Sequence, residues 1–290
     1  MPPAQYPILN PADPIDPATL ALRSTQCALA VMAKAPRTGK VKTRLAPPLT
    51  LEQSAALNIC FLRDTTQNLA EVCSASRSDP EEDDKKTGIV LSGAKDLPPA
   101  SNIANPPAAG LISYTPIGDE SLFDNLLPPA FALIPQRGDT FGGRLLYAAE
   151  DILDCGYASV CLIDSDSPTV PAAAYQQAIN LLARPGDRIV LGPAHDGGYY
   201  LIGLKRPHPR PFHNITWSTS TVADETRNRC HSANLELIEL PLWYDVDDAP
   251  TLDLLTAELL ANTPPPFATT PGYPAPHTRT FLLNLQQAAK

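Results

Sequence analysis

Long apolar runs are missing from this 290-residue sequence. No segment reaches the ~18 consecutive apolar residues that a membrane-crossing helix needs, so no membrane span is expected. A surplus of positive charge is missing too. Lys and Arg number 22 against 31 Asp and Glu, a net charge of −9, whereas broad nucleic-acid binding rests on basic surface. None of the six cysteines forms a CxxC pair, which removes the commonest redox and zinc signatures. Cys27, Cys60, Cys73, Cys155, Cys161 and Cys230 lie mostly in apolar surroundings such as Ala28-Leu29 and Val160-Leu162. They are expected as reduced core thiols, since a chain of this size needs no disulfide framework. The first residues, Met1 to Tyr6, carry neither a basic n-region nor an apolar h-region. No signal peptide is therefore expected, and the expected compartment is the cytoplasm.

What is abundant is proline, with 33 residues, roughly twice the usual share. Six prolines fall within residues 1–19 and six within 264–276. The 43% hydrophobic share excludes a wholly disordered chain. Residues 1–24 are expected as a loosely ordered leader and 25–262 as a single domain. Residues 263–290 are expected as a Pro-rich connection and a C-terminal helix packed on that domain.

Apolar runs at 27–33, 88–92, 111–114, 159–163, 188–192, 199–204 and 236–240 predict strands. Helical spacing predicts helices over 51–72, with Thr50 as N-cap, and over 141–155, 172–183, 222–233 and 251–261. Strands alternating with helices give an α/β fold with a mostly parallel sheet. Ligands in such sheets bind beyond the carboxyl ends of the strands.

The first strand leads into Lys34-Ala35-Pro36-Arg37-Thr38-Gly39-Lys40-Val41-Lys42-Thr43-Arg44, with five cations in eleven positions. No Asp or Glu occurs from Pro17 to Leu51. A phosphate-rich ligand explains that segregation better than a merely solvated basic loop, because Lys supplies point charge and Arg a two-pronged grip. Neither GxxxxGK[ST] nor GxGxxG is present, so this is neither a Walker loop nor a dinucleotide loop.

Three further segments carry acids after strands. Asp164-Ser165-Asp166-Ser167-Pro168 follows the 159–163 run, and alternation places both carboxylates on one side, toward a cation beyond the strand. Mg²⁺ and Mn²⁺ favour such oxygens and bridge to phosphates; the blander reading is a helix-capping turn. His195-Asp196-Gly197-Gly198-Tyr199 joins two strands. Its glycines let a substrate approach the backbone, and Asp196 is the candidate base, against a plain Gly-Gly turn. Asp245-Val246-Asp247-Asp248 gathers three acids, which repel unless solvated or neutralised by a cation. Asp245 or Asp247 is expected as ligand and Asp248 as the cap of the helix that follows.

Several ordered motifs now carry a family resemblance. They are Ala33 to Leu45, Gln136 to Leu145, Asp164 to Pro168, Gly192 to Gly203, Trp217-Ser218-Thr219, Asp245-Val246-Asp247 and His277 to Leu282. In this series the chain resembles the DUF2064 family, whose members are labelled glycosyltransferases of the arsenosugar-biosynthesis type. The family is similar in turn to the GT-A, nucleotide-diphospho-sugar transferase superfamily. The resemblance implies a Rossmann-like three-layer α/β/α sandwich and a nucleotide site with a divalent metal, Mg²⁺ or Mn²⁺. It implies Asp166 as the main metal-binding acid, Asp247 as its partner, and Lys34, Arg37, Lys42 and Arg44 on phosphates, with Lys40 of the same loop beside them. It places Asp196 on the acceptor side, with His195, Gly197, Gly198 and Tyr199. Two positions depart from the pattern. Asp164, the third candidate ligand, stands where a small residue is usual, and Gly143 stands where an acid is usual.

Two enzymatic readings follow. One is a glycosyltransferase using a nucleotide sugar and a small-molecule acceptor. The other is a nucleotidyltransferase using an NTP and releasing pyrophosphate, because the first loop also resembles that of phospholactate guanylyltransferases. A third reading, a non-catalytic nucleotide-binding module, does not need acids at three strand ends.

Overall fold

The computed structural model describes residues 5–75 and 106–288. The strand expected at 88–92 and the acidic run at 79–86 lie outside the described residues. Seven strands form one sheet: β1 (Cys27–Lys34), β2 (Ala108–Thr115), β3 (Ala132–Pro135), β4 (Ser159–Ile163), β5 (Arg188–Pro193), β6 (Tyr199–Leu204) and β7 (Glu236–Glu239). Their order is β3-β2-β1-β4-β6-β5-β7. All neighbours run parallel except β6, which is antiparallel to both β4 and β5.

The helices are α1 (Pro17–Arg23), α2 (Leu51–Ala75), α3 (Phe141–Asp154), α4 (Ala172–Ala183), α5 (Val222–Ser232), α6 (Ala249–Ala261) and α7 (Pro276–Ala288). Alternation along β1 shows how they are layered. Cys27, Leu29, Val31 and Ala33 enter a core shared with Leu57 and Phe61 of α2, Tyr175 of α4, Leu252 of α6 and Leu282 of α7. Ala28 and Ala30 face the other core, with Leu145 and Ile152 of α3 and Cys230 of α5. Both faces of the sheet are thus covered, which is why its central strands read as continuous apolar runs. Among the described residues, no helix is long and apolar enough to cross a membrane.

Local chemistry sets the ends of the elements. Thr50 Oγ1 accepts from Gln53 N at 3.2 Å and Thr50 N donates to Gln53 Oε1 at 2.8 Å, a reciprocal cap of α2. Asp248 and Thr251 make the same exchange at α6, as expected for Asp248. The segment after residue 4 is packed rather than loose. Tyr6 is buried and donates to Leu127 O at 2.7 Å, Ile8 bridges Leu133, and Asp16 caps α1. Five of the six cysteines are buried and Cys60 is partly so, as suits small apolar groups. At the other end, Asp64 of α2 accepts from the backbone N–H groups of His277 and Thr278 at 3.0 and 2.7 Å. One buried carboxylate thereby satisfies two of the donors left open at the start of α7.

Because β6 runs against its neighbours, its beginning lies at the same sheet edge as the ends of the other strands. The segments after β1, β3, β4, β5 and β7 therefore gather along one edge.

Candidate functional site

The floor of the site is Lys42. Its Nζ lies 2.9 Å from Asp166 Oδ1 and 2.7 Å from Asp247 Oδ1, and it donates to Val246 O at 2.7 Å. Three partners match the three protons of an ammonium group. The Lys42 side chain is only 4% exposed, whereas Asp166 and Asp247 are 32% and 44% exposed. Burial alone would push the ammonium down, but the two carboxylates more than offset it and hold Lys42 above its ordinary value. The Phe61 ring lies 5.7 Å from Nζ, close enough for a favourable cation–ring contact.

The backbone explains how these loops meet. Val246 N donates to Asp166 O at 3.0 Å, laying the segment after β7 beside the one after β4. Trp243 N donates to Pro193 O at 3.1 Å and His195 N to Trp243 O at 2.8 Å, so the segment after β5 joins the same edge. Lys42 itself adopts a left-handed backbone with φ of 49°, a conformation that costs a non-glycine residue about 1 kcal/mol or more. The turn aims its side chain inward, between the two acids.

Above Lys42 is an open cavity of about 270 Å³, lined among others by Lys34, Lys40, Arg44, Asn58 and Ser165. Four of the five loop cations thus reach one cavity. Arg37 does not line it and pairs instead with Asp119, which precedes a one-turn helix at Glu120–Phe123. Asn58 was not foreseen as a site residue. It is 4% exposed, and its side-chain oxygen has no partner. Burying an unpaired amide oxygen is costly, and Asn58 borders the cavity floor. Its only sequence signal is a polar residue on the inward face of α2.

Asp164 is separated from the Lys42 pair. The strand ends at Ile163 and the chain bends at Ser165 and Asp166, so the two-residue alternation stops before it can place both acids together. Asp164 Oδ2 accepts from Ser167 Oγ at 2.7 Å, and Oδ1 is buried without a partner. Burial, then the charges of Asp166 and Asp245, push its carboxyl well above the ordinary range. Asp245 behaves alike, pushed up to about 7 by burial and by the charges of Asp196 and Asp247.

Among the described residues, no group of three or more His, Cys, Asp or Glu side chains is arranged to hold a metal ion. Two part-exposed carboxylates beside a cationic cavity do fit a hard divalent ion of the kind that takes one or two protein carboxylates and completes its shell with phosphate and water. Asp166 and Asp247 are the residues that would hold it.

The segment from His195 to Tyr199 lies next along the edge. Asp196 is exposed, and its Oδ1 accepts from Gly198 N at 2.7 Å. Gly197 has φ of +93°, and a Cβ there would sit 2.0 Å from Ser220 O, so this turn admits only glycine. His195 stacks on Phe267, ring centroids 4.9 Å apart, and Phe267 also meets Tyr244 at 6.2 Å. Phe267 belongs to the Pro-rich connection after α6 and carried no signal in the sequence beyond being an aromatic among prolines. The Tyr199 hydroxyl is buried without a partner, its ring 6.4 Å from Trp217. Trp217 packs edge-on to the exposed Phe141 at 4.9 Å. A Cβ on Gly142 would fall 2.5 Å from Phe212 O and 2.8 Å from Trp217 Nε1. The 136–145 and 217–219 motifs therefore meet through a glycine that lets them touch.

Comparison with known proteins agrees with this architecture. Residues 101–219 match the family model of DUF2064, described as an uncharacterized protein conserved in bacteria. No curated protein matches the chain. Among solved structures the chain is similar to a candidate nucleotide-diphospho-sugar transferase from Desulfovibrio desulfuricans G20. Identity is 28% and the TM-score 0.65, over 91% of this chain and 96% of that one. A 4-diphosphocytidyl-2C-methyl-D-erythritol synthase from Anaerococcus prevotii DSM 20548 is more distant. It is 9% identical at a TM-score of 0.43, over 82% of this chain and 98% of that one. A homologue of Mycobacterium tuberculosis Rv0371c from Mycobacterium sp. strain JC1 stands at 15% and 0.43, over 83% and 100%. Motif order, family match and sheet topology agree: residues 101–219 are similar to the DUF2064 family, and the chain has the α/β fold of the nucleotide-diphospho-sugar transferases.

Proposed function

We propose that the chain is a metal-dependent transferase acting on a nucleotide-activated donor, and that it moves a sugar from a nucleotide-diphospho-sugar to a small acceptor. The observation that carries this reading is the Lys42 ammonium between Asp166 and Asp247, under a cavity rimmed by Lys34, Lys40 and Arg44. The nucleotide-utilising transferase class has further support from the similarity to the Desulfovibrio structure, through the activity given for that protein. Within the class, the pairing of Arg37 with Asp119 favours the shorter phosphate chain. It removes one of the five cations that made the loop suit a triphosphate.

In this reading Lys34, Lys40 and Arg44 bind the donor's phosphates at the rim, and Lys42 donates from below. Asp166 and Asp247 hold the divalent ion, which when bound neutralises negative charge on the diphosphate leaving group. The Gly197 turn keeps the backbone low, so that an acceptor can lie over it. Asp196, fixed by Gly198 N, is positioned to take a proton from the acceptor hydroxyl. His195 and Phe267 wall that side.

The test is the by-product. The protein is incubated with Mg²⁺ or Mn²⁺, panels of nucleotide sugars and NTPs, and candidate acceptors. Release of nucleoside diphosphate supports glycosyl transfer. Release of pyrophosphate would replace it with nucleotidyl transfer, and binding without turnover across the panels would replace both with a nucleotide-binding module.

A further inference from the structure

The contacts of Lys42 carry a consequence for how the site is filled. Its three acceptors are Asp166 Oδ1, Asp247 Oδ1 and Val246 O, at 2.9, 2.7 and 2.7 Å. The ammonium thus occupies the position between the two carboxylates that a divalent ion would need. It is also almost wholly enclosed, whereas both acids open to the cavity. A cation arriving alone must therefore take the acids away from a buried ammonium and leave that charge with one backbone carbonyl and the face of the Phe61 ring. Stranding one member of a buried ion pair is heavily penalised. A cation arriving with a diphosphate meets no such penalty, because the phosphate oxygens offer the ammonium new acceptors at the moment it gives up the carboxylates.

We propose that Lys42 acts as a resident substitute for the divalent cation: it keeps Asp166 and Asp247 together while the donor is absent and excludes free metal from them. It passes to the donor's phosphates only when metal and phosphate enter together. Lys42 is in this respect a positioning residue, one that sets the order of binding as well as the charge of the floor. The cationic rim of Lys34, Lys40 and Arg44 fits the scheme, since it repels a bare cation and attracts one already complexed to an anion. The inference rests on reading the cavity as a phosphate site, and the test below separates the two.

Mn²⁺ is titrated into the full chain, wild type and Lys42→Met, and free Mn²⁺ is followed by its electron paramagnetic resonance signal. Without Lys42 the two acids keep only the exposed Arg44 guanidinium, 3.9 Å from Asp247 Oδ2, as a cationic partner, which raises their demand for a cation. The expected result is that Lys42→Met binds Mn²⁺ alone about tenfold or more tightly than the wild type, and that the gain disappears in Lys42→Met/Asp166→Asn. Lys42→Gln, which retains a polar side chain, is expected to show a gain of the same direction. Melting temperature gives a second readout: Mn²⁺ raises it more in Lys42→Met than in the wild type, which also registers any loss of folding in the variant. Equal Mn²⁺ affinity in wild type and both variants, or tight binding of bare Mn²⁺ by the wild type, overturns the proposal. The phosphate reading is probed separately, by the thermal shift that Mg²⁺ with inorganic pyrophosphate causes in the wild type. No shift there, together with a Mn²⁺ gain in Lys42→Met, sinks the phosphate reading and leaves the exclusion of free metal standing. A shift there with no Mn²⁺ gain sinks the Lys42 proposal alone.

Discussion

Two Asp-x-Asp segments, 164–166 and 245–247, meet at the backbone bond from Val246 N to Asp166 O, yet their four carboxylates have opposite fates. The second acid of each, Asp166 and Asp247, shares the Lys42 ammonium and opens to the cavity. The first acid of each, Asp164 and Asp245, makes no direct ion pair among the described residues and feels Lys42 only as a minor influence. These two are pushed upward by burial, and each feels the acid two positions on. The same residue type in the same pattern thus yields one pair held by an ammonium and one pair that resists charging. In each motif the second position, on the side from which Lys42 enters, is the one that pairs.

The largest test of this contrast removes one acid from each pair. Asp166→Asn deletes both a partner of Lys42 and a proposed metal ligand, and turnover is expected to fall by about 10²–10³-fold. Asp164→Asn keeps size and hydrogen-bonding capacity at a group that already resists ionisation, and is expected to cost less than about tenfold. Comparable losses in a by-product assay would show that the pairs are wrongly divided.

A second test uses stability against pH. Asp245 has a folded-state value raised to about 7, so the proton is held more tightly in the folded chain than in the unfolded one. Its contribution to stability is fully present below the ordinary carboxylate value and is lost as pH rises through about 7. Asp245→Asn should therefore flatten the decline in melting temperature between about pH 4 and pH 7, and raise it at pH 8 by about 3 °C. A variant whose melting curve follows the wild type at every pH would place Asp245 among ordinary, solvated acids.

The smallest effects belong to the cations. Lys40→Ala takes a charge from the cavity rim and should weaken donor binding by about fivefold to tenfold at low salt, less at high salt. Arg37→Ala breaks the pair with the buried Asp119 and should change donor KM by about twofold or less, because Arg37 does not line the cavity. Donor KM for the two variants, measured at two ionic strengths, checks the difference.

The sequence made the central strands legible because burial on both faces leaves continuous apolar runs, as in Cys27–Lys34 and Ser159–Ile163. It did not disclose β3, whose four residues, Ala132–Pro135, follow Pro128-Pro129, end on a proline and show no period. The cationic loop and the acids after the strands were also legible, since charge segregation survives in one dimension. Their grouping was not. Lys42 and Asp247 are 205 positions apart, and only the folded edge of the sheet brings them together. The diversion of Arg37 to Asp119, 82 positions away, was hidden for the same reason, and so was the stacking of Phe267 on His195.

That last contact gives the C-terminal prolines a thermodynamic meaning. Phe267 is carried by a stretch in which Pro264, Pro265, Pro266, Pro271, Pro274 and Pro276 have φ preset by their rings. Beyond it, Tyr273 N is tied to Thr169 O at 2.9 Å. A chain with so few conformations to give up loses little entropy in presenting its aromatic ring. Replacing Pro265 and Pro266 with glycine would remove no side-chain contact between Phe267 and His195. It would widen the range of positions the ring visits, and the wall beside His195 would lose definition through disorder alone.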